Sequence, residues 1–114
     1  MRLEEARWFA MSLPEAYEQA HFEKSSFRIG GKIFATVPPG GRHLHVFVDE
    51  QEARACVADD PSAFQELRWG RKLAGVRVDL RVADREAVVE LLEESWRRRA
   101  PKRLISAFDA RRRR

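Results

Sequence analysis

The sequence predicts an α+β fold, a two-layer domain in which helices pack on one face of an antiparallel sheet. Three observations predict it. Two alternating runs flank Gly30-Gly31, the pattern of a β-hairpin whose turn residues need positive φ. Apolar residues recur at helical spacing near both ends of the chain, over residues 3–13 and 84–108. The 114 residues contain no internal repeat and no low-complexity linker, and a chain of that size buries one core. Residues 1–110 therefore read as a single domain and 111–114 as a basic tail.

Leu3, Ala6, Phe9, Ala10 and Leu13 line one side of a first helix that ends near Pro14. An extra strand is allowed for over residues 17–22. Phe27 and Ile29 then alternate with Ser26 and Arg28, and beyond the glycines Ile33, Ala35 and Val37 alternate with Lys32, Phe34 and Thr36. A second turn, Pro38-Pro39-Gly40-Gly41, leads into residues 42–48, where Leu44, Val46 and Val48 oppose His43, His45 and Phe47. An antiparallel meander is the economical arrangement. Asp49 opens a helix with Glu52 three residues on, a capping box in which each end group satisfies an orphan backbone donor. Ala53, Cys56 and Val57 form its apolar stripe, and Asp59-Asp60-Pro61 stops it, because proline lacks an amide proton.

Residues 62–75 show no clean period and read as a loop with one helical turn. Val76, Val78 and Leu80 alternate with Arg77, Asp79 and Arg81 as a strand. Asp84 caps a long helix with Val88, Leu91, Leu92, Ser95 and Trp96 on one side, and Pro101 begins a last helix carrying Leu104, Ile105 and Phe108. The covered sheet face is then Phe27, Ile29, Ile33, Ala35, Val37, Leu44, Val46, Val48, Val76, Val78 and Leu80. The open face shows Arg28, Phe34, Thr36, His43, His45, Phe47, Arg77 and Asp79, a mixture of aromatics and bases that is unusual for a merely solvated surface.

Hydrophobic residues make up 44% and charged residues 35% of the chain. The longest apolar runs, residues 8–11 and 55–58, are far short of the ~18 residues of a membrane span, so no membrane partner is expected. The first residues lack a cationic-then-apolar leader pattern, and a cytoplasmic setting is expected. One cysteine, Cys56, excludes an internal disulfide framework and a multi-cysteine metal knuckle. The net charge of +4 is uneven: residues 97–114 hold nine bases against one acid, Asp109, a net +8, which leaves the body at −4. Counterion release would draw a polyanion to that end first.

The order of motifs resembles the MmcQ/YjbR family of small bacterial proteins. The residues that carry the resemblance are Leu13-Pro14 with Glu18 and His21-Phe22, then Ser26-Phe27-Arg28-Ile29-Gly30-Gly31-Lys32-Ile33-Phe34-Ala35. Trp69-Gly70-Arg71-Lys72, Val76-Arg77-Val78-Asp79-Leu80 and Ala100-Pro101-Lys102-Arg103-Leu104 complete it. Ala74-Gly75 departs from the Gly-Trp pair frequent in the family, and the arginine end is an addition. The resemblance implies a CyaY/YjbR-like (frataxin-like) fold and a DNA-binding role through a double-wing motif. Iron-binding relatives of that fold use an acidic ridge on the first helix. Here that helix has only Glu4 and Glu5, offset by Arg2 and Arg7, so iron delivery is not expected.

The expected function is a non-enzymatic DNA-binding module, a monomer without cofactor or metal. Arg28, Arg71, Lys72 and Arg77 contact phosphates, Lys102 and Arg103 add charge, and the arginine tail supplies non-specific affinity. Trp69 either packs on sugar or base or anchors its loop to the core. Lys102 and Arg103 sit where the helix dipole disfavours cations, which points to an external anion or to Glu93 or Glu94 of the body. His43 and His45 point the same way on a strand and would gain charge below about pH 6.5. A metal role for them turns on whether His21 joins them within ~5 Å. Cys56 is expected to pack as a small hydrophobe. The alternative function is a protein- or small-ligand-binding domain whose open face (Phe34, His43, His45, Phe47, Trp69) receives the partner, with the tail incidental.

Overall fold

A computed structural model describes residues 1–22 and 24–113; Glu23 and Arg114, the last residue of the basic tail, lie outside the described residues. In chain order the elements are α1 (Leu3–Ser12), β1 (Tyr17–His21), β2 (Lys24–Ile29), β3 (Lys32–Val37), β4 (His43–Val46), α2 (Glu50–Asp59), β5 (Phe64–Trp69), β6 (Lys72–Asp79), α3 (Arg85–Arg99) and α4 (Lys102–Arg112). The six strands form one sheet in the order β1-β2-β3-β4-β6-β5, with every neighbouring pair antiparallel. The two-layer α+β architecture is as the periodicities predict. α3 lies against β3 and β4, α2 against β5 and β6, and α1 against α3, so the helices cover one face.

The local signals act as expected at most boundaries. Asp49 Oδ1 accepts the Glu52 amide at 2.8 Å at the start of α2. Asp84 occupies the corresponding position before α3, but its side chain makes no cap bond, so the capping expected of it is corrected to position alone. Val88, Leu91, Leu92, Ser95 and Trp96 form the buried side of α3. The Trp96 indole donates to the Pro14 carbonyl at 3.1 Å and meets Phe108 edge-on at 5.3 Å, which joins α3 to both the α1–β1 connection and α4. α4 runs on through Arg111 and Arg112, and Arg112 pairs with Glu93 while its guanidinium lies 4.5 Å from the Phe108 ring.

Two expectations are overturned. Residues 62–75 are not a loop with a helical turn: they supply β5, a turn with Gly70 at φ +61°, and the start of β6. β5 escapes pattern reading because it is an edge strand; of its residues only Phe64 is buried. The second correction concerns the faces of β3. Phe27 pairs with Ala35 while Arg28 pairs with Ile33, so β3 holds one extra residue, Phe34, opposite that step. Such a bulge leaves Phe34 and Ala35 both on the covered side and turns Ile33 to the open side. Phe34 is fully buried beside Phe27, at 6.4 Å between rings, whereas Ile33 is only partly buried. Strict alternation had placed these two the other way round.

β6 carries a matching irregularity. Leu67 pairs with Gly75 and Arg68 with Leu73, which makes Ala74 the extra residue. Bulges increase local twist, and these two, set in strands either side of β4, curl the open face. Ser95 bridges the layers where β3 and β4 diverge: its hydroxyl reaches the Phe34 carbonyl and, at 2.8 Å, the Phe47 carbonyl. Gly75 is required by packing, since a Cβ there would lie 2.1 Å from the Val46 carbonyl oxygen.

Candidate functional site

The residues that face away from the helices are set by the register. Ser26, Thr36, His45 and Arg77 lie side by side across β2, β3, β4 and β6. On the next row Arg28 stands opposite Ile33, and Phe47 follows His45 by two residues. Phe47 meets Trp69 across β6 in a tilted pair, with 5.1 Å between ring centroids and 49° between planes. Gly75 contributes no side chain to the intervening strand, which leaves the two rings free to meet. Trp69 is 57% exposed, so it does not anchor the hairpin to the core as one reading had it; it presents a ring to solvent.

Part of this face forms a concave cleft of about 860 Å³, bounded by His21, Phe22 and Lys24 at the β1–β2 hairpin, by Gly31 and Lys32 at the β2–β3 hairpin, and by Trp69 and Arg99. Arg28, Ile33, Thr36, His45 and Phe47 complete the lining. No acidic side chain among the described residues lines it. Phe22, in the left-handed region at φ +57° and 92% exposed, stands at the hairpin tip with its ring edge-on to His21 at 4.7 Å.

Arg28 is held in place from below. Its Nε donates to the Ser26 hydroxyl at 3.0 Å, and that hydroxyl donates to the Gln19 carbonyl at 2.6 Å. The remaining guanidinium nitrogens face the cleft near His21 Nδ1, 3.4 Å away. Two other polar atoms of lining residues, His45 Nε2 and Arg99 Nε, are buried without a hydrogen-bond partner among the described residues. Leaving a buried polar atom unpaired is costly, which makes such atoms informative about what completes them. Burial, followed by the charges of Lys24, Arg77 and His43, pushes His45 down to about 4. His45 is therefore neutral at pH 6, contrary to the charge gain expected of it, and His43 is lowered as well by desolvation and by Arg77.

Of the six cations singled out in sequence, the cleft takes one, Arg28. Arg71 and Lys72 are exposed at the β5–β6 turn beside Trp69; the Arg71 carbonyl accepts from Arg68 at 3.0 Å. Arg77 lies on the same sheet face but turns to His43 Nδ1 at 3.3 Å. Lys102 is exposed on α4, and Arg103 pairs with Glu15 at 3.2 Å, not with Glu93 or Glu94. Glu93 is taken by Arg97 and Arg112. His21 and His45 share the cleft while His43 turns aside, and no group of three His, Cys, Asp or Glu among the described residues is placed to hold a metal ion. Cys56 is half-buried, its thiol pushed up to about 11 by burial and by Glu52 and Asp59.

Sequence reasoning missed Lys24, Lys32 and Arg99. The first two flank the hairpins and were findable, since each borders a motif already singled out. Arg99 was hidden in the run Arg97-Arg98-Arg99, where about 100° of helical rotation per residue sends neighbours in different directions. Arg97 turns to Glu93 and Asp109, and Arg99 lines the cleft.

A six-stranded antiparallel sheet with helices on one side and a basic, aromatic cleft on the other defines a small α+β domain. No described helix is long and apolar enough to cross a membrane. The chain belongs to the YjbR family, whose model matches residues 11–98. Among solved structures it is similar to the Deinococcus radiodurans protein DR2400, which carries the domain DUF419. The two share 20% identity over 83% of this chain and 75% of that one, with a TM-score of 0.71, a likeness of fold. No curated protein matches the chain.

Proposed function

We propose that the protein is a non-enzymatic binding module that holds DNA against the open face of its sheet. Phosphates meet Lys24, Arg28, Lys32 and Arg99, and bases meet Phe47 and Trp69. One observation carries the reading: four cations and three aromatic rings line a single cleft to which no described acid contributes. That combination matches the way strands are held without sequence readout, by a positive groove and stacking platforms. Arg71 and Lys72 extend the positive rim beside Trp69, and Arg77 extends it along β6. Lys102 and Arg103 do not line the cleft and add only to the general field. The partial enclosure of the cleft also favours a small-ligand reading, since its volume falls within the about 300–1,000 Å³ usual for ligand sites.

The test is fluorescence anisotropy of a labelled oligonucleotide against the full chain over a salt series. Four cleft cations neutralising four phosphates give a slope of log K against log salt of about −3 for a single strand. The double variant Arg28→Ala, Arg99→Ala should reduce the magnitude of that slope by about 1.4, and Arg111→Ser with Arg113→Ser should weaken binding without removing the cleft contribution. Binding that disappears with the terminal arginines and ignores the cleft variant would overturn the reading.

A further inference from the structure

Two buried polar atoms of cleft-lining residues, Arg99 Nε and His45 Nε2, have no partner among the described residues. They lie on different elements, α3 and β4, that converge on one concavity together with the paired rings of Phe47 and Trp69. A group small enough to enter the cleft approaches both residues, which a convex outer surface does not. The phosphates of a duplex lie on such a surface, while its bases are stacked inward and present no free ring face. A nucleotide with its base splayed out offers a flat ring, polar base edges and an anionic group from one small body.

We propose that the cleft is a receptor for an unpaired nucleotide unit. Its phosphate is drawn to Arg99 and the neighbouring cations, its base lies on the exposed face of Trp69, and a further polar atom completes His45 Nε2. This rests on the reading of the cleft as a DNA surface and narrows it from DNA in general to single-stranded or extruded positions. The Trp69 ring rests at a tilt of 49° against Phe47, a contact that limits its freedom before binding and so lowers the ordering cost. Lys24 and Lys32, at opposite hairpins, stand where the chain on either side of the seated unit would leave the cleft.

The experiment measures binding of four probes to the full chain at one fixed salt concentration: oligothymidylate, a blunt duplex of equal length, thymidine monophosphate and inorganic phosphate. Each is repeated with Arg99→Gln, His45→Gln and Trp69→Leu, and circular dichroism melts confirm that each variant folds. The expected result is at least tenfold tighter binding of the single strand than of the duplex. Arg99→Gln and Trp69→Leu should each weaken single-strand binding about fivefold or more, with little change for the duplex. Monophosphate binding that tracks the same variants also supports the site. If it occurs without strand binding, the source is a free nucleotide and only the DNA reading fails. Equal affinity for duplex and single strand, untouched by Arg99→Gln and Trp69→Leu, overturns this inference while the DNA reading stands. Inorganic phosphate binding as well as the monophosphate overturns the stacking component, and no binding by any probe overturns both.

Discussion

Acidification should destabilise the protein through His45, and the effect has a defined sign and window. The imidazole sits in the cleft floor beside Lys24, Arg77 and His43, and burial with those charges lowers it from 6.5 to about 4. Because the folded value lies below the unfolded one, the folded state binds fewer protons between the two. The stability contributed by neutral His45 is thus complete above about pH 6.5, falls as pH drops from 6.5 to about 4, and levels off below. A shift of that size has a ceiling of about 3 kcal/mol, and screening by the solvent that still reaches the ring brings it to about 2 kcal/mol. His43 titrates in the same direction, and Glu52, raised by burial, in the opposite one, so the wild type alone does not isolate the term. Urea unfolding of the wild type and of His45→Gln from pH 7 to pH 4 isolates it, because every other group is common to both. The wild type should lose about 2 kcal/mol more than the variant across that range. Parallel curves, or an imidazole proton resonance that titrates near 6.5, would refute the reasoning.

Two further outcomes follow from local geometry. Gly75→Ala places a methyl 2.1 Å from the Val46 carbonyl oxygen, so β4 and β6 must separate; a loss of about 2–3 kcal/mol is expected, seen as a fall in thermal midpoint of roughly 10 °C by circular dichroism. Cys56, with its thiol at about 11, should react with iodoacetamide at pH 8 about a hundredfold more slowly than free cysteine, and unfolding in urea should restore the ordinary rate.

Much of the fold was legible because its signals are local. Gly30-Gly31 adopts the positive φ that the hairpin pattern demands, at +58° and +79°. Asp49 caps α2 by accepting the Glu52 amide, which is one half of the capping box their spacing suggests, and the apolar stripe of α3 is buried as read. The misses share a different cause. β5 pairs on one side only, so its sequence is under no pressure to alternate. The exchange of Ile33 and Phe34 arises from a single extra residue whose presence depends on the partner strand, which periodicity within one strand does not reveal. The cleft was half legible for the same reason. Its mixed aromatic and basic character follows from strand alternation, which gave Arg28, His45 and Phe47. The contribution of Arg99 depends on where a helix ends relative to a sheet it does not belong to.

The Ser95 bridge has a mechanical consequence. One hydroxyl ties α3 to the Phe34 and Phe47 carbonyls, and Arg99 leaves the same helix one turn later. Trp96, between them, rests on Phe108 of α4, and Arg97 holds Asp109. Cleft, α3 and the arginine-bearing end of α4 are thus coupled in series, like links on one shaft. A pull on Arg99 large enough to shift α3 along its axis loads the strand junction at one end and the seat of Phe108 at the other.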